Sequence, residues 1–261
     1  MNRIEKKFRD LKKENRKAFI VFITAGYPDL EVTRKLILEF SKEGVDIIEL
    51  GIPFSDPLAD GPIIQEASQV ALKNNVHLRD ILSLVKKIRR QVDTPIVFMT
   101  YYNPLFCFGE ERFVRAAKDC GVDGVIIPDL PPEEGRSFLD LASKSCIDTI
   151  LFISPTTTQA RMKFISYLSR GFIYYVSLTG VTGPRQRLPM DLKYNISIVK
   201  KLTNKPICVG FGVSSRKQVE QIYRIADGVI IGSAIVKKIR DNIGKSDLIE
   251  KTVNFVKSLQ V

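Results

Sequence analysis

The chain has 261 residues, of which 40 are Lys or Arg and 29 are Asp or Glu, a formal charge of +11. Its 44% of hydrophobic residues is enough for a sizeable core, which excludes a disordered chain. No run approaches the roughly 18 apolar residues of a membrane span, and the positive charge is scattered in short clusters without the aromatic interleaving or zinc spacing of a nucleic-acid module.

Residues 2–15 read as a helix with Ile4, Phe8 and Leu11 on one face. This basic start carries Glu5, Asp10 and Glu14 and no uncharged apolar run with a cleavage site, so it reads neither as a secretory signal nor as a transit peptide. Eight short runs rich in Ile, Val and Phe follow, at 19–24, 46–50, 96–100, 124–127, 149–153, 172–177, 207–209 and 228–231. They are apolar almost continuously, as expected of parallel strands covered on both faces. Helical patterns lie between them, at 32–43, 78–92, 110–120, 132–145, 159–169, 192–202, 215–223 and 248–259. Ser215 has the character of an N-cap, and Pro132, Glu133 and Glu134 suit a first turn.

Eight strand–helix alternations without a break in composition predict one (β/α)8 TIM barrel over residues 1–261, with the additional N-terminal helix across its bottom. The alternative is an open doubly wound sheet, but Thr24-Ala25-Gly26-Tyr27-Pro28-Asp29 is not the glycine-rich nucleotide loop such a sheet usually carries.

The four cysteines, Cys107, Cys120, Cys146 and Cys208, are 13, 26 and 62 residues apart, and His77 is the one histidine. No metal site follows from that spacing. Cys120, Cys146 and Cys208 read as small core residues and His77 as a surface residue at a helix start. The pattern suits a reducing compartment, the cytoplasm, or the plastid stroma for an organelle-encoded chain.

In a (β/α)8 barrel the chemistry sits where the strands end. The second run ends in Glu49-Leu50-Gly51, a carboxylate among apolar neighbours on the same face as Ile47. Burial raises the pKa of such a group and suits it to proton transfer near neutrality. Alone, Glu49 reads equally as a buried acid satisfied by backbone donors. The stiff loop that follows brings Asp56 and Asp60 nearby, and two carboxylates in unlike surroundings can divide acid and base duties. Either aspartate also suits a turn or an N-cap. After the seventh and eighth runs, Gly210-Phe211-Gly212 and Gly232-Ser233 form glycine turns of the kind that bind phosphate. The long polar segment 178–189 reads as a lid or as a plain surface loop.

The segment Glu49-Leu50-Gly51-Ile52-Pro53-Phe54-Ser55-Asp56-Pro57-Leu58-Ala59-Asp60-Gly61-Pro62-Ile63-Ile64-Gln65 closely resembles the signature of the tryptophan synthase α subunits. So do Phe22-Ile23-Thr24-Ala25-Gly26-Tyr27-Pro28-Asp29, Gly180-Val181-Thr182-Gly183, Gly210-Phe211-Gly212-Val213-Ser214 and Gly232-Ser233-Ala234-Ile235-Val236, in the same order along residues 15–240. The resemblance implies a lyase that splits indole-3-glycerol phosphate into indole and glyceraldehyde 3-phosphate in tryptophan biosynthesis. It implies that Glu49 shuttles protons and that Asp60 holds the indole N–H. Phe22 matches an aromatic against the indole, and Tyr174, with Tyr175 beside it as the alternative register, matches a tyrosine near the carboxylates. Thr182 matches a loop residue that meets the second carboxylate, while Gly183, Phe211, Gly212, Gly232 and Ser233 match phosphate-binding positions. Met99, Ile126 and Ile153 match apolar pocket positions, which barrel packing explains as well.

No metal or organic cofactor is implied in this subunit. Pyridoxal phosphate belongs to a β subunit, which the resemblance implies as partner in an α2β2 heterotetramer that receives the indole. Residues 53–62 and 103–106 lie on the face expected to meet it, with Phe106 and Phe108 as exposed contacts or as core. The competing readings are another phosphosugar barrel enzyme, which the 49–60 motif argues against, and an idle barrel that only activates a β partner, which the intact carboxylate pair argues against. An RNA-binding protein is disfavoured by the scattered charge, and no membrane association is expected.

Overall fold

The computed structural model describes residues 2–176, 188–210 and 212–261. Each apolar run becomes a strand: β1 (Ala18–Thr24), β2 (Ile47–Gly51), β3 (Ile96–Met99), β4 (Gly124–Ile126), β5 (Asp148–Ile153), β6 (Ile173–Val176), β7 (Ile207–Gly210) and β8 (Gly228–Ile231). Every strand is parallel to the next and β8 closes on β1, so the sheet is a closed barrel. Continuous apolar runs follow from this closure. Alternate side chains fill the barrel or meet the helices outside, and neither set faces water.

The helices are α1 (Arg3–Lys13), α2 (Leu30–Lys42), α3 (Pro62–Lys73), α4 (Leu78–Ile88), α5 (Tyr102–Phe108) and α6 (Glu110–Cys120) in the first half. The second half adds α7 (Arg136–Lys144), α8 (Gln159–Leu168), α9 (Leu192–Leu202), α10 (Arg216–Tyr223), α11 (Ser233–Arg240) and α12 (Leu248–Leu259). Three of these, α3, α5 and α11, extend the expected set. Each is short or opens at a proline or after a glycine, where the apolar period is hard to read. Two expected helices are shorter than their patterns: α4 ends at Ile88 instead of 92, and Pro132, Glu133 and Glu134 form a turn, so that α7 starts only at Arg136. Gly135 accounts for part of the late start, since glycine inside a helix is about 1 kcal/mol less favourable than alanine.

Two cysteine expectations are corrected. Cys208 is buried as a core residue, but Cys120 is half-buried and Cys146 exposed. Cys146 occupies the turn that leaves α7, in the left-handed region at φ 61°, where the chain reverses. His77 is the exposed N-cap of α4.

The N-terminal end of the barrel is an electrostatic floor. Asp46, at the entrance to β2, donates its N–H to the Phe19 carbonyl at 3.0 Å and accepts the Phe19 N–H on Oδ2 at 2.9 Å. Asp123 repeats the exchange with Ile96 at 2.9 Å in both directions, and Asp227 repeats it with Ile207 at 2.8 and 3.1 Å. Each aspartate thus ties an even-numbered strand to the start of the strand before it. Cations answer each carboxylate: Lys7 and Arg16 at Asp46, Arg3 and Arg89 at Asp123, Lys17 and Lys200 at Asp227. Helix α1 supplies two of them while Ile4, Phe8 and Leu11 are buried beneath it, which places it across the bottom as expected. Its Asn2 cap accepts the Ile4 N–H at 3.0 Å.

Candidate active site

Strand register brings the first elements together at the opposite end. Phe22 in β1 pairs with Glu49 in β2, and Glu49 pairs with Val97 in β3. Phe22 and Glu49 therefore project to the same side of the sheet, into the barrel. Glu49 is 1% exposed and Phe22 5%. Gly51 is required by this arrangement, because a Cβ there would lie 2.6 Å from Cζ of Phe22. Tyr174 in β6 needs the same allowance, since a Cβ on Gly210 would come within 2.5 Å of its hydroxyl.

The loop after β2 delivers Asp60. Its N–H donates to the Pro57 carbonyl at 3.0 Å, and its carbonyl accepts from the Gln65 side chain at 2.9 Å. The Tyr101 hydroxyl donates to Asp60 Oδ2 at 3.1 Å and accepts the Ala59 N–H at 2.9 Å. Asp56 takes another course. It is exposed, and its carboxylate accepts a hydrogen bond from the Ser55 hydroxyl. Of the two aspartates left open by the sequence, Asp60 is the one in the barrel mouth.

Phe22, Glu49, Asp60, Met99, Tyr174, Gly212, Gly232 and Ser233 all line one cleft of about 400 Å³, with Ile64 and Ile230 completing it. Apolar side chains and the two carboxylates share its lining. Burial raises the Glu49 pKa to about 8, with the nearby Asp60 charge adding to the effect. Burial also raises Asp60, to about 6, against the hydrogen bond from Tyr101, which favours its ionised form. Desolvation thus favours the protonated form more strongly at Glu49 than at Asp60. One oxygen of that carboxyl, Oε2, is buried without a hydrogen-bond partner among the described residues.

The far end of the cleft suits an anion. Helix α11 starts at Ser233 and its N-cap is Gly232, which has no side chain to satisfy the first-turn amides. Helix α10 differs, because Ser215 and Gln218 close its own N-terminus in a capping box. An anion beside Gly232 and Ser233 thus meets unspent N–H donors and the positive end of a helix dipole. Gly212, at φ 82°, turns the chain after β7 as only glycine does readily.

Seven of the ten site residues expected from sequence thus meet in one cleft. The other three, Thr182, Gly183 and Phe211, lie outside the described residues, as does 178–187 of the expected lid. The Tyr174–Tyr175 register resolves in favour of Tyr174. Tyr175 points outward, where Asp191 at the start of α9 bears on its hydroxyl. Met99 lines the cleft, whereas Ile126 and Ile153 are fully buried and do not line it. Sequence reading missed Tyr101, Ile64 and Ile230. Tyr101 had one signal, its place directly after a strand, where barrels keep their functional side chains. On the same rim Leu58 and Phe106 are 85% and 63% exposed, while Phe108 is half-buried under the Arg112 guanidinium.

Two buried carboxylates facing a helix N-terminus that suits an anion, at the C-terminal mouth of a closed (β/α)8 barrel, fit the class of enzymes that act on phosphorylated small molecules. Comparison with known proteins narrows that class. The sequence profile described as "Tryptophan synthase alpha chain" matches residues 8–260, and the chain belongs to that family. The tryptophan synthase alpha chain of Thermoanaerobacter sp. (strain X514) is 46% identical over 260 residues, covering 100% of this chain and 99% of the relative. That of Petrotoga mobilis is 47% identical over 249 residues, covering 95% and 96%. Among solved structures, tryptophan synthase subunit alpha from Legionella pneumophila str. Paris superposes with a TM-score of 0.92 at 38% identity, covering 99% of this chain and 97% of that one. The tryptophan synthase complex from Pyrococcus furiosus gives 0.86 at 39%, covering 93% and 97%. The chain is accordingly a carbon–carbon lyase of tryptophan biosynthesis.

Proposed function

We propose that Glu49 and Asp60 together carry the retro-aldol cleavage of indole-3-glycerol phosphate to indole and glyceraldehyde 3-phosphate. The observation that carries this reading is a pair of buried carboxylates in one cleft with unlike surroundings, Asp60 accepting the Tyr101 hydroxyl and Glu49 set among apolar side chains, so that Glu49 is the one disposed to hold a proton. Carbon–carbon cleavage is slow because negative charge would build at indole C3. Glu49 removes that difficulty by delivering its proton to C3, which makes the ring an electron acceptor. Positive charge then spreads to the ring nitrogen, where the Asp60 carboxylate accepts the N–H and stabilises it. The Glu49 carboxylate takes the proton of the side-chain hydroxyl, the carbonyl forms, and the electrons of the breaking bond restore the indole. Glu49 ends protonated again, carrying the hydroxyl proton in place of the one now on C3.

The phosphate is assigned to Gly212, Gly232 and Ser233, with Thr182, Gly183 and Phe211 assigned on the family resemblance alone. Phe22 and Tyr174 flank the indole. No metal or organic cofactor takes part in this subunit. A β subunit carrying pyridoxal phosphate is the partner, in an α2β2 assembly, and the exposed Leu58 and Phe106 on the active-site rim are where it would sit. The Pyrococcus furiosus complex among the structural neighbours supports that reading. Residues 1–261 form one domain. A cytoplasmic location is supported by the biosynthetic role and by cysteines that are all free; among the described residues no helix is long and apolar enough to cross a membrane.

Indole release from indole-3-glycerol phosphate, with and without a β subunit, tests the assignment. Glu49→Gln is expected to lower kcat by about 10²–10⁴-fold while a phosphorylated indole analogue still binds within a few-fold of wild type. Undiminished turnover in that variant would remove Glu49 from the mechanism. Wild-type protein that binds the analogue and never releases indole would point to the idle scaffold.

A further inference from the structure

Tyr101 stands between the catalytic loop and the helix that follows β3. It is 4% exposed, its ring lies 5.3 Å from that of Phe54 in the same loop, and it is the N-cap residue of α5. The hydrogen of its hydroxyl is committed. A tyrosine hydroxyl has one hydrogen to give. The Ala59 N–H, at 2.9 Å, occupies a lone pair, and the single hydrogen is left for Asp60 Oδ2 at 3.1 Å. The phenol is thereby fixed as donor and the carboxylate as acceptor, and two successive loop residues are held by one atom.

We propose that Tyr101 is a positioning residue for the lyase step, which holds Asp60 as an oriented carboxylate so that its remaining acceptor capacity faces the indole nitrogen. The proposal rests on the reading of Asp60 given above. A donated hydrogen bond stabilises the ionised form of a carboxylate. Other groups around Asp60 do not supply that help. Glu49 faces it from β2 as a second buried carboxyl, and Tyr174 faces it from β6. Asp129, beyond β4, acts on Tyr101 itself and carries negative charge. Helix α3 contributes the apolar Ile64, and Phe22 and Ser233 line the cleft from β1 and α11. Among the described residues Tyr101 is the donor whose hydrogen bond to the Asp60 carboxylate the structure shows.

The test is the pH profile of kcat/KM for indole release by the full-length chain. Tyr101→Phe keeps the ring against Phe54 and removes the hydroxyl. Its acid limb is expected to move up by about one pH unit, with kcat/KM near pH 7 lowered roughly tenfold. A second variant, with 3-fluorotyrosine at position 101, carries a more acidic and stronger donor and is expected to move the same limb down. An acid limb unmoved in both variants overturns the positioning role, even if kcat falls, because loss of packing alone lowers rate without shifting a titration. Asp60→Asn separates the two levels. If it abolishes turnover while the Tyr101 variants keep the wild-type limb, the positioning role alone fails. If it leaves turnover intact, the reading of Asp60 fails and the role of Tyr101 falls with it.

Discussion

Two sets of carboxylates lie at opposite ends of the same barrel. At the floor, Asp46 and Asp123 are buried and Asp227 half-buried, and each accepts a strand amide and meets two cations. At the mouth, Glu49 and Asp60 are equally buried, but among the described residues Glu49 feels desolvation and the Asp60 charge, Asp60 feels desolvation and one phenol, and no cation pairs with either. Burial pushes carboxylate pKa values up at both ends, Asp46 and Asp123 included. The floor answers that cost with fixed partners, so its charges join strands. At the mouth the described residues answer it only with the Tyr101 hydroxyl, and on the function proposed above the proton held at Glu49 is the one the substrate uses. The same residue class is structural at one end and chemical at the other because of what surrounds it.

The largest effect on stability is expected at the floor. Arg89 has a side chain only 10% exposed and donates to Asp123 at 3.0 Å and to the carbonyls of Val92 and Thr94 at 3.0 and 2.8 Å. Asp123→Asn keeps the shape and strands this cation. Breaking a buried pair from one side costs about 3–5 kcal/mol. A calorimetric melt should show a large fall in Tm, while kcat/KM of the folded protein stays at the wild-type value. Since the cost comes from the stranded cation, Arg89→Met added to Asp123→Asn should restore most of the loss. A double variant no more stable than the single one would show that the floor holds by its strand-amide exchange rather than by charge compensation.

The contrast between the two ends was only partly readable in the residues. The strands were legible because burial on both faces leaves uninterrupted apolar runs, and Glu49 was legible because it interrupts one of them. Alternation along β2 gave its face but not its partner. Asp56 and Asp60 are four residues apart in a loop stiffened by proline, and composition does not tell which turns inward. Tyr101 follows its strand in a Tyr-Tyr pair without any further mark, and its role depends on a loop 42 residues earlier in the chain, through the Ala59 amide. The floor was hidden for a related reason. Asp46, Asp123 and Asp227 each sit beside a strand start, where an aspartate reads as an ordinary turn residue until the neighbouring strand is in place.

A smaller effect sharpens the comparison at the mouth. Glu49 has its pKa raised from 4.5 to about 8 in the folded chain. Between those values the native state holds a proton that the unfolded chain has released, so stability falls as pH rises across this window, by up to about 1.4 kcal/mol per unit. Glu49→Gln has no such titration. Relative to wild type it should gain roughly 2–4 kcal/mol between pH 5 and pH 8, followed by denaturant melts at each pH. The gain should level off above pH 8, where Glu49 is ionised in both states. A stability gap between the two proteins that is the same at pH 5 and pH 8 would mean that Glu49 is not protonated in the native state, and the acid role assigned to it would fail.

The smallest effect is expected where the charge of +11 is most visible. Lys87 and Arg90, at the end of α4 and beyond it, are exposed and form no ion pair among the described residues. They contribute to the surplus without taking part in the floor or the mouth. Replacing both by Gln lowers the formal charge from +11 to +9, and such surface changes usually stay within about 0.5 kcal/mol. KM for the anionic substrate should be unchanged at physiological salt, where screening acts over about 8 Å, and any rise should be confined to low ionic strength. A clear rise in KM at physiological salt would show that the scattered cations steer substrate to the mouth, and the division between structural cations at the floor and passive ones on the surface would have to be redrawn.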